Sequence, residues 1–130
     1  MSTISLTFTQ LYTGFVGLRE DEILTRHPLG KHLHYLGKRS LQMGMFSVGY
    51  ALSEDQEFVL VLETINGVSQ VVGQKTYWGV EQAFEYLKRY AVSNDASYRG
   101  YWIEAAGGRR LFVRIEHTPG DLPALCVSIY

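Results

Sequence analysis

A chain of 130 residues with 46% hydrophobic and 19% charged side chains reads as one globular domain, 1–130, long enough to bury roughly two-thirds of its unfolded surface in a single core. A formal charge of -1 and a pI near 6.4 exclude the strongly basic footprint of a typical nucleic-acid binder. The single cysteine, Cys126, excludes an internal disulfide.

The expected elements follow in chain order. Ile4, Leu6 and Phe8 alternate with polar residues, which predicts a half-buried strand. Residues 18–26 read as a short helix, with Glu20, Asp21 and Glu22 at the positive end of its dipole and Pro28 as its stop. Residues 26–39 carry Arg26, Lys31, Lys38 and Arg39 with His27, His32 and His34 among them and no acid. Gly30 and Gly37 bracket 32–36 as a short strand or a loop, and the stretch reads as a connection rather than a long regular element. From Leu41 to Leu52 the chain reads as a strand with Phe46, Val48, Tyr50 and Leu52 on one face and Met45, Ser47, Gly49 and Ala51 on the other. That second face is small, so it either lies open or receives something large at close range.

The strongest signal spans residues 57–91. Two β-branched runs, 57–65 and 68–75, flank Asn66-Gly67, a pair suited to a type I′ hairpin turn. A regular register across that turn places Ile65 opposite Val68, Leu62 opposite Val71, Val61 opposite Val72 and Leu60 opposite Gly73. Both faces of the hairpin are then apolar, so one must take a helix and the other a second layer or a partner. Val80, Ala83, Phe84, Leu87 and Ala91 predict that helix, from Trp78 to Val92, with Thr76 as its N-cap. Residues 101–106 and 109–117, joined at Gly107-Gly108, predict a second hairpin, and Leu125, Val127 and Ile129 a last strand. The expected fold is α+β: an antiparallel sheet of about six strands in β-α-βββ-α-βββ order, with one long amphipathic helix packed on it.

Chemistry is thinly signalled. No phosphate-binding, nucleophile-elbow, zinc-protease or dinucleotide motif occurs. His32-x-His34 on a strand would place two imidazoles on one face, with His27, His117 or Asp21 as a third ligand, but no further acid or cysteine stands at ligand spacing. Cys126 sits in an apolar strand, where a thiol is inert. Between 77 and 102, Tyr77, Trp78, Tyr86, Tyr90, Tyr98, Tyr101 and Trp102 alternate with Lys88, Arg89 and Arg99, the residue types that dominate protein-binding hot spots.

The reading that follows is a non-enzymatic protein-binding module of inhibitor, adaptor or chaperone type. It works through Tyr86, Arg89, Tyr90, Tyr98, Arg99 and Trp102, as a homodimer that covers the second sheet face, with no cofactor. One alternative is binding of an anionic ligand, a nucleotide or a nucleic acid, through Arg26, Lys31, Lys38, Arg39, Arg109, Arg110 and Arg114. The other is a metal-dependent enzyme using His32 and His34. No apolar run reaches the length of about 18 residues that spans a membrane, and no signal peptide is expected, so the expected compartment is the cytoplasm.

Overall fold

The computed structural model describes residues 11–53, 56–77 and 79–130. The strand expected over 4–8 and the helix start expected at Trp78 lie outside them. The described residues form an eight-stranded antiparallel sheet: β1 (His34–Ser40), β2 (Met45–Ser53), β3 (Gln56–Ile65), β4 (Val68–Thr76), β5 (Ala91–Asp95), β6 (Gly100–Glu104), β7 (Arg110–Glu116) and β8 (Ala124–Ile129). Their order across the sheet is β1-β2-β3-β4-β8-β7-β6-β5, two four-stranded meanders joined where β4 meets β8. The helices are short: α1 (Ile23–Arg26) and α2 (Val80–Leu87).

Six strands and a long helix therefore give way to eight strands and short helices, and both additions are edge strands. An edge strand has one hydrogen-bonded neighbour and little buried surface, so it needs no apolar alternation for periodicity to detect. The basic stretch that reads as a connection contains β1, exposed along all of its length except Gly37. At the other edge, α2 ends at Leu87, a 3₁₀ turn covers Lys88–Tyr90, and Ala91 takes extended dihedrals. Residues 91–95 then pair with β6. Ser93, Asn94 and Asp95 are poor helix formers, so extending the helix gains little against a strand partner. Gly79 in the left-handed region precedes α2, and Thr76, the expected N-cap, is the last residue of β4.

The β3–β4 turn forms as expected, with positive φ at Asn66 and Gly67 and Ile65 opposite Val68. Past Leu62–Val71 the regular register fails. Val61 pairs with Gly73 and Leu60 with Gln74, leaving Val72 as the extra residue of a β-bulge. A bulge shifts the two-residue alternation by one. Gln74 and Thr76 consequently point into the core, and Lys75 points out.

Among the described residues, the helices that cover the sheet lie on one face of it. Over the first meander, Phe15 and Ile23 close on Phe46, Val48, Tyr50, Phe58, Leu60, Leu62 and Val71. Over the second, Val80, Ala83 and Leu87 of α2, with Tyr12, close on Tyr101, Val113, Leu125 and Val127. Full burial of Leu87 or Leu125 contributes about 1.5–3 kcal/mol each. Gln74 stands on this same face and donates its amide to the Leu11 carbonyl at 2.7 Å. Beyond the β4–β8 pairing, residues 17–19 lie beside β4: Gly17 N–H donates to the Val71 carbonyl, and Val71 N–H to the Leu18 carbonyl, both at 2.8 Å. No described helix lies on the opposite face of the sheet.

Candidate functional site

The uncovered face is built from the residues that alternate with the core. Pairing registers carry one row straight across it: Arg39, Ser47, Val61, Gly73, Ser128, Phe112, Trp102 and Ser93. The adjacent row reads Gly37, Gly49, Val59, Lys75, Cys126, Arg114, Gly100 and Asp95. The half of the face on β1–β3 is thus floored by glycine, serine and valine. The half on β6–β8 carries large rings and charges.

On the small-residue half, three hollows open. One of about 390 Å³ is lined by Leu36, Gly37, Arg39, Ser47, Gly49 and Val59 among others. Another of about 390 Å³ runs over Met45, Val61, Glu63 and Val72 to Arg109 and Tyr130. A third, about 410 Å³, continues from Glu63 and Val72 over Ile65 and Val68 to Arg19. Ile65 and Val68 are 59% and 50% exposed, although both belong to the hairpin that anchors the core.

On the other half, Trp102 packs against Phe112 with ring centroids 4.8 Å apart and meets Tyr130 edge-on at 5.3 Å. Tyr98, from the β5–β6 turn, meets Phe112 at 6.4 Å. Phe112 is buried by these rings rather than by a helix, while Tyr98 and Tyr130 remain exposed. Beside them lies an ion cluster. The Glu116 carboxylate accepts from Lys75 Nζ and Arg114 Nη2, each at 3.0 Å, and from Cys126 Sγ at 3.7 Å. The Lys75 hydrogen bond leads the causes that hold Glu116 below the usual carboxylate range. Burial opposes the charge on Lys75, but Glu116 and Tyr77 together outweigh it and its pKa rises. Burial pushes the Cys126 thiol up to about 11, so it is protonated and unreactive at neutral pH.

The expected partner-binding residues fall into two groups. Tyr98 and Trp102 belong to the aromatic cluster on the uncovered face, and Arg99, with positive φ, turns the chain into β6 beside them. Tyr86, Arg89 and Tyr90 lie on the helix side, where the Arg89 guanidinium sits 4.6 Å from the Tyr86 ring and the two tyrosine rings are 6.2 Å apart. The structure adds Phe112 and Tyr130. Their common face with Trp102 follows from the alternation of two strands and the length of the turn between them, which composition alone does not supply.

The basic residues separate likewise. Lys38 and Arg39 stand on β1, and Arg110 and Arg114 on β7, five strand spacings or roughly 24 Å away. Arg26 pairs with Glu22 at 3.1 Å, and Arg114 with Glu116. Arg109 lines the hollows near Glu63. The histidines do not share a strand: His32 ends a 3₁₀ turn at Gly30–His32, and His34 begins β1. His27 is buried, stacked on Phe15 at 3.7 Å with its Nδ1 accepting from Leu29 N–H. Among the described residues no group of three or more His, Cys, Asp or Glu side chains could hold a metal ion.

With this geometry in hand, the chain was compared with known proteins. No family model, no curated protein and no solved structure matches it. Among the described residues no helix is long and apolar enough to cross a membrane.

Proposed function

We propose that this chain is a non-enzymatic protein-binding module, of inhibitor, adaptor or chaperone type, whose docking surface is the uncovered face of the sheet. The observation that carries this reading is the ring cluster of Tyr98, Trp102, Phe112 and Tyr130 beside Arg110 and Arg114, on a face where no described helix packs. Aromatic rings and arginines with apolar hollows next to them are the composition of interface hot spots, where burial of a few large side chains supplies most of the binding energy. Self-association is one way of covering such a face.

The test is capture from a lysate of the native host with the unmodified protein and with Trp102→Glu, read by mass spectrometry. Trp102 is only partly buried and lies outside both core clusters, so the variant should keep its fold. A protein retained by the unmodified chain and lost from the variant, at unchanged Tm, supports the reading. Equal capture by both overturns it, and loss with Tyr86→Ala instead moves the docking surface to the helix side.

A further inference from the structure

The two halves of the uncovered face are opposite in relief and, at one row, in charge. From this we infer that the face docks onto a second copy of the same chain, about a two-fold axis running along the strands between β4 and β8. The inference rests on the reading of this face as a docking surface and names its occupant.

The argument is one of register. A two-fold axis parallel to the strands, lying between the two sheets, sets β1 of one copy over β5 of the other, β2 over β6, β3 over β7 and β4 over β8. Along the central row this places Trp102 over Ser47, Phe112 over Val61 and Ser128 over Gly73. The rings of one copy thus meet the small-residue floor of the other, while glycine and serine at the axis let the sheets come within the spacing of about 10 Å of stacked sheets. The same operation repeats the contact on the other side of the axis, which is the self-complementarity an isologous dimer requires.

The charges follow the same geometry. Glu63 and Arg110 each stand two residues from the central row, on the same side of it, so each Glu63 falls opposite the other copy's Arg110. Glu57 falls opposite Glu116, whose charge Lys75 and Arg114 already balance. Any other axis in the plane of the face loses one of these matches. An axis across the strands, for example, lays β7 on β7 and brings like rings together.

The size of the contact is sufficient. Eight strands at a spacing of about 4.8 Å and about five residues deep present a face of roughly 600 Å² on each copy, so the dimer buries about 1,200 Å², the lower end of specific interfaces.

The experiment is sedimentation of the full chain at micromolar concentration with two charge reversals, Glu63→Arg and Arg110→Glu, Tm being checked for each. The unmodified chain should sediment as a dimer. Each reversal alone sets like charges at both symmetric contacts and should weaken self-association at least about tenfold. An equimolar mixture of the two variants restores an opposite-charge pair at both contacts, so it should dimerise again, as should the double variant. Glu63 and Arg110 lie on strands three places apart within one copy, so an internal contact cannot produce that rescue. An unmodified chain that is monomeric, or reversals that leave the dimer intact, or a mixture that stays monomeric, each overturn the arrangement. A monomer that still captures a host protein through Trp102 overturns the two-fold contact alone, whereas a dimer that obeys the charge rule with no Trp102-dependent capture removes only the heterologous partner.

Discussion

Leu60 and Val61 are neighbours in one strand and meet opposite fates. Leu60 is fully buried beneath the N-terminal segment, while Val61 floors a hollow with no described helix above it. The same contrast holds along the sheet, since α2 and the segments carrying Tyr12, Phe15 and Ile23 pack on one face, while residues 17–19 flank β4 and Arg19 reaches the rim of the other. A sheet with one solvated face ordinarily alternates apolar and polar residues. Here the uncovered face keeps Val59, Val61, Val72, Phe112 and Trp102, and it balances its central charges through Glu116. The covered face holds the fold together, and the uncovered face carries apolar surface in excess of what solubility asks for.

The covered face is broken first. Phe58 is fully buried and meets the Phe15 ring at 5.2 Å, so Phe58→Ala should cost about 3–5 kcal/mol, much of the margin of a domain this size. Chemical denaturation measures it, and a loss below about 1 kcal/mol would show that the face is not the core.

Glu116→Gln probes the charges of the uncovered face and should cost about 1 kcal/mol at pH 7, since Lys75 and Arg114 lose the carboxylate they share. The sign with pH is fixed by the direction of the shift. A carboxylate held below its ordinary value stabilises above the unfolded pKa, and that contribution fades as pH falls through the lower, folded value. The gap between the two proteins should therefore be full at neutral pH and closed in strong acid. Lys75, shifted upward, gives the mirror image: its contribution is complete below its ordinary value of 10.5 and fades as pH rises through the folded value. An equal gap at pH 7 and pH 3 would assign the effect to packing.

Ile65→Ser and Val68→Ser should have the smallest effect, within about 0.5 kcal/mol, because both side chains are at least half exposed. A large loss of Tm at low concentration would mean that the hairpin end belongs to the core after all. A loss that appears only at high protein concentration would extend the interface to this end of the groove.

How much of this is legible in the residues depends on how locally each feature is encoded. The β3–β4 hairpin is, because Asn66-Gly67 specifies its own turn. So are the small face of β2 and the start of α2's apolar stripe at Val80. The edge strands β1 and β5 are not, since what makes 34–40 and 91–95 strands is the neighbour they pair with. The bulge at Val72 is hidden for a related reason: a regular ladder through it satisfies the same apolar residues, and the two registers differ in long-range placements, Gln74 inside against Leu11 and Lys75 outside beside Glu116. The candidate site is legible by half. Tyr98 and Trp102 stand out as surplus aromatics, whereas Phe112 and Tyr130 join them through cross-strand register over β6, β7 and β8.

The bulge also sets which changes of length this chain can absorb. Val72 is the one residue of β4 without an opposite number in β3, so removing it would close the ladder as Leu62–Val71 followed by Val61–Gly73, with every flanking side chain on its present face. Removing Gln74 would also dissolve the bulge and leave Lys75 opposite Val59, but it would set Gly73 opposite Leu60 in the interior and lose the amide's hydrogen bond to the Leu11 carbonyl. Two deletions separated by a single residue would thus differ in kind, one a trimming and the other the loss of a polar tie between the sheet and the segment above it.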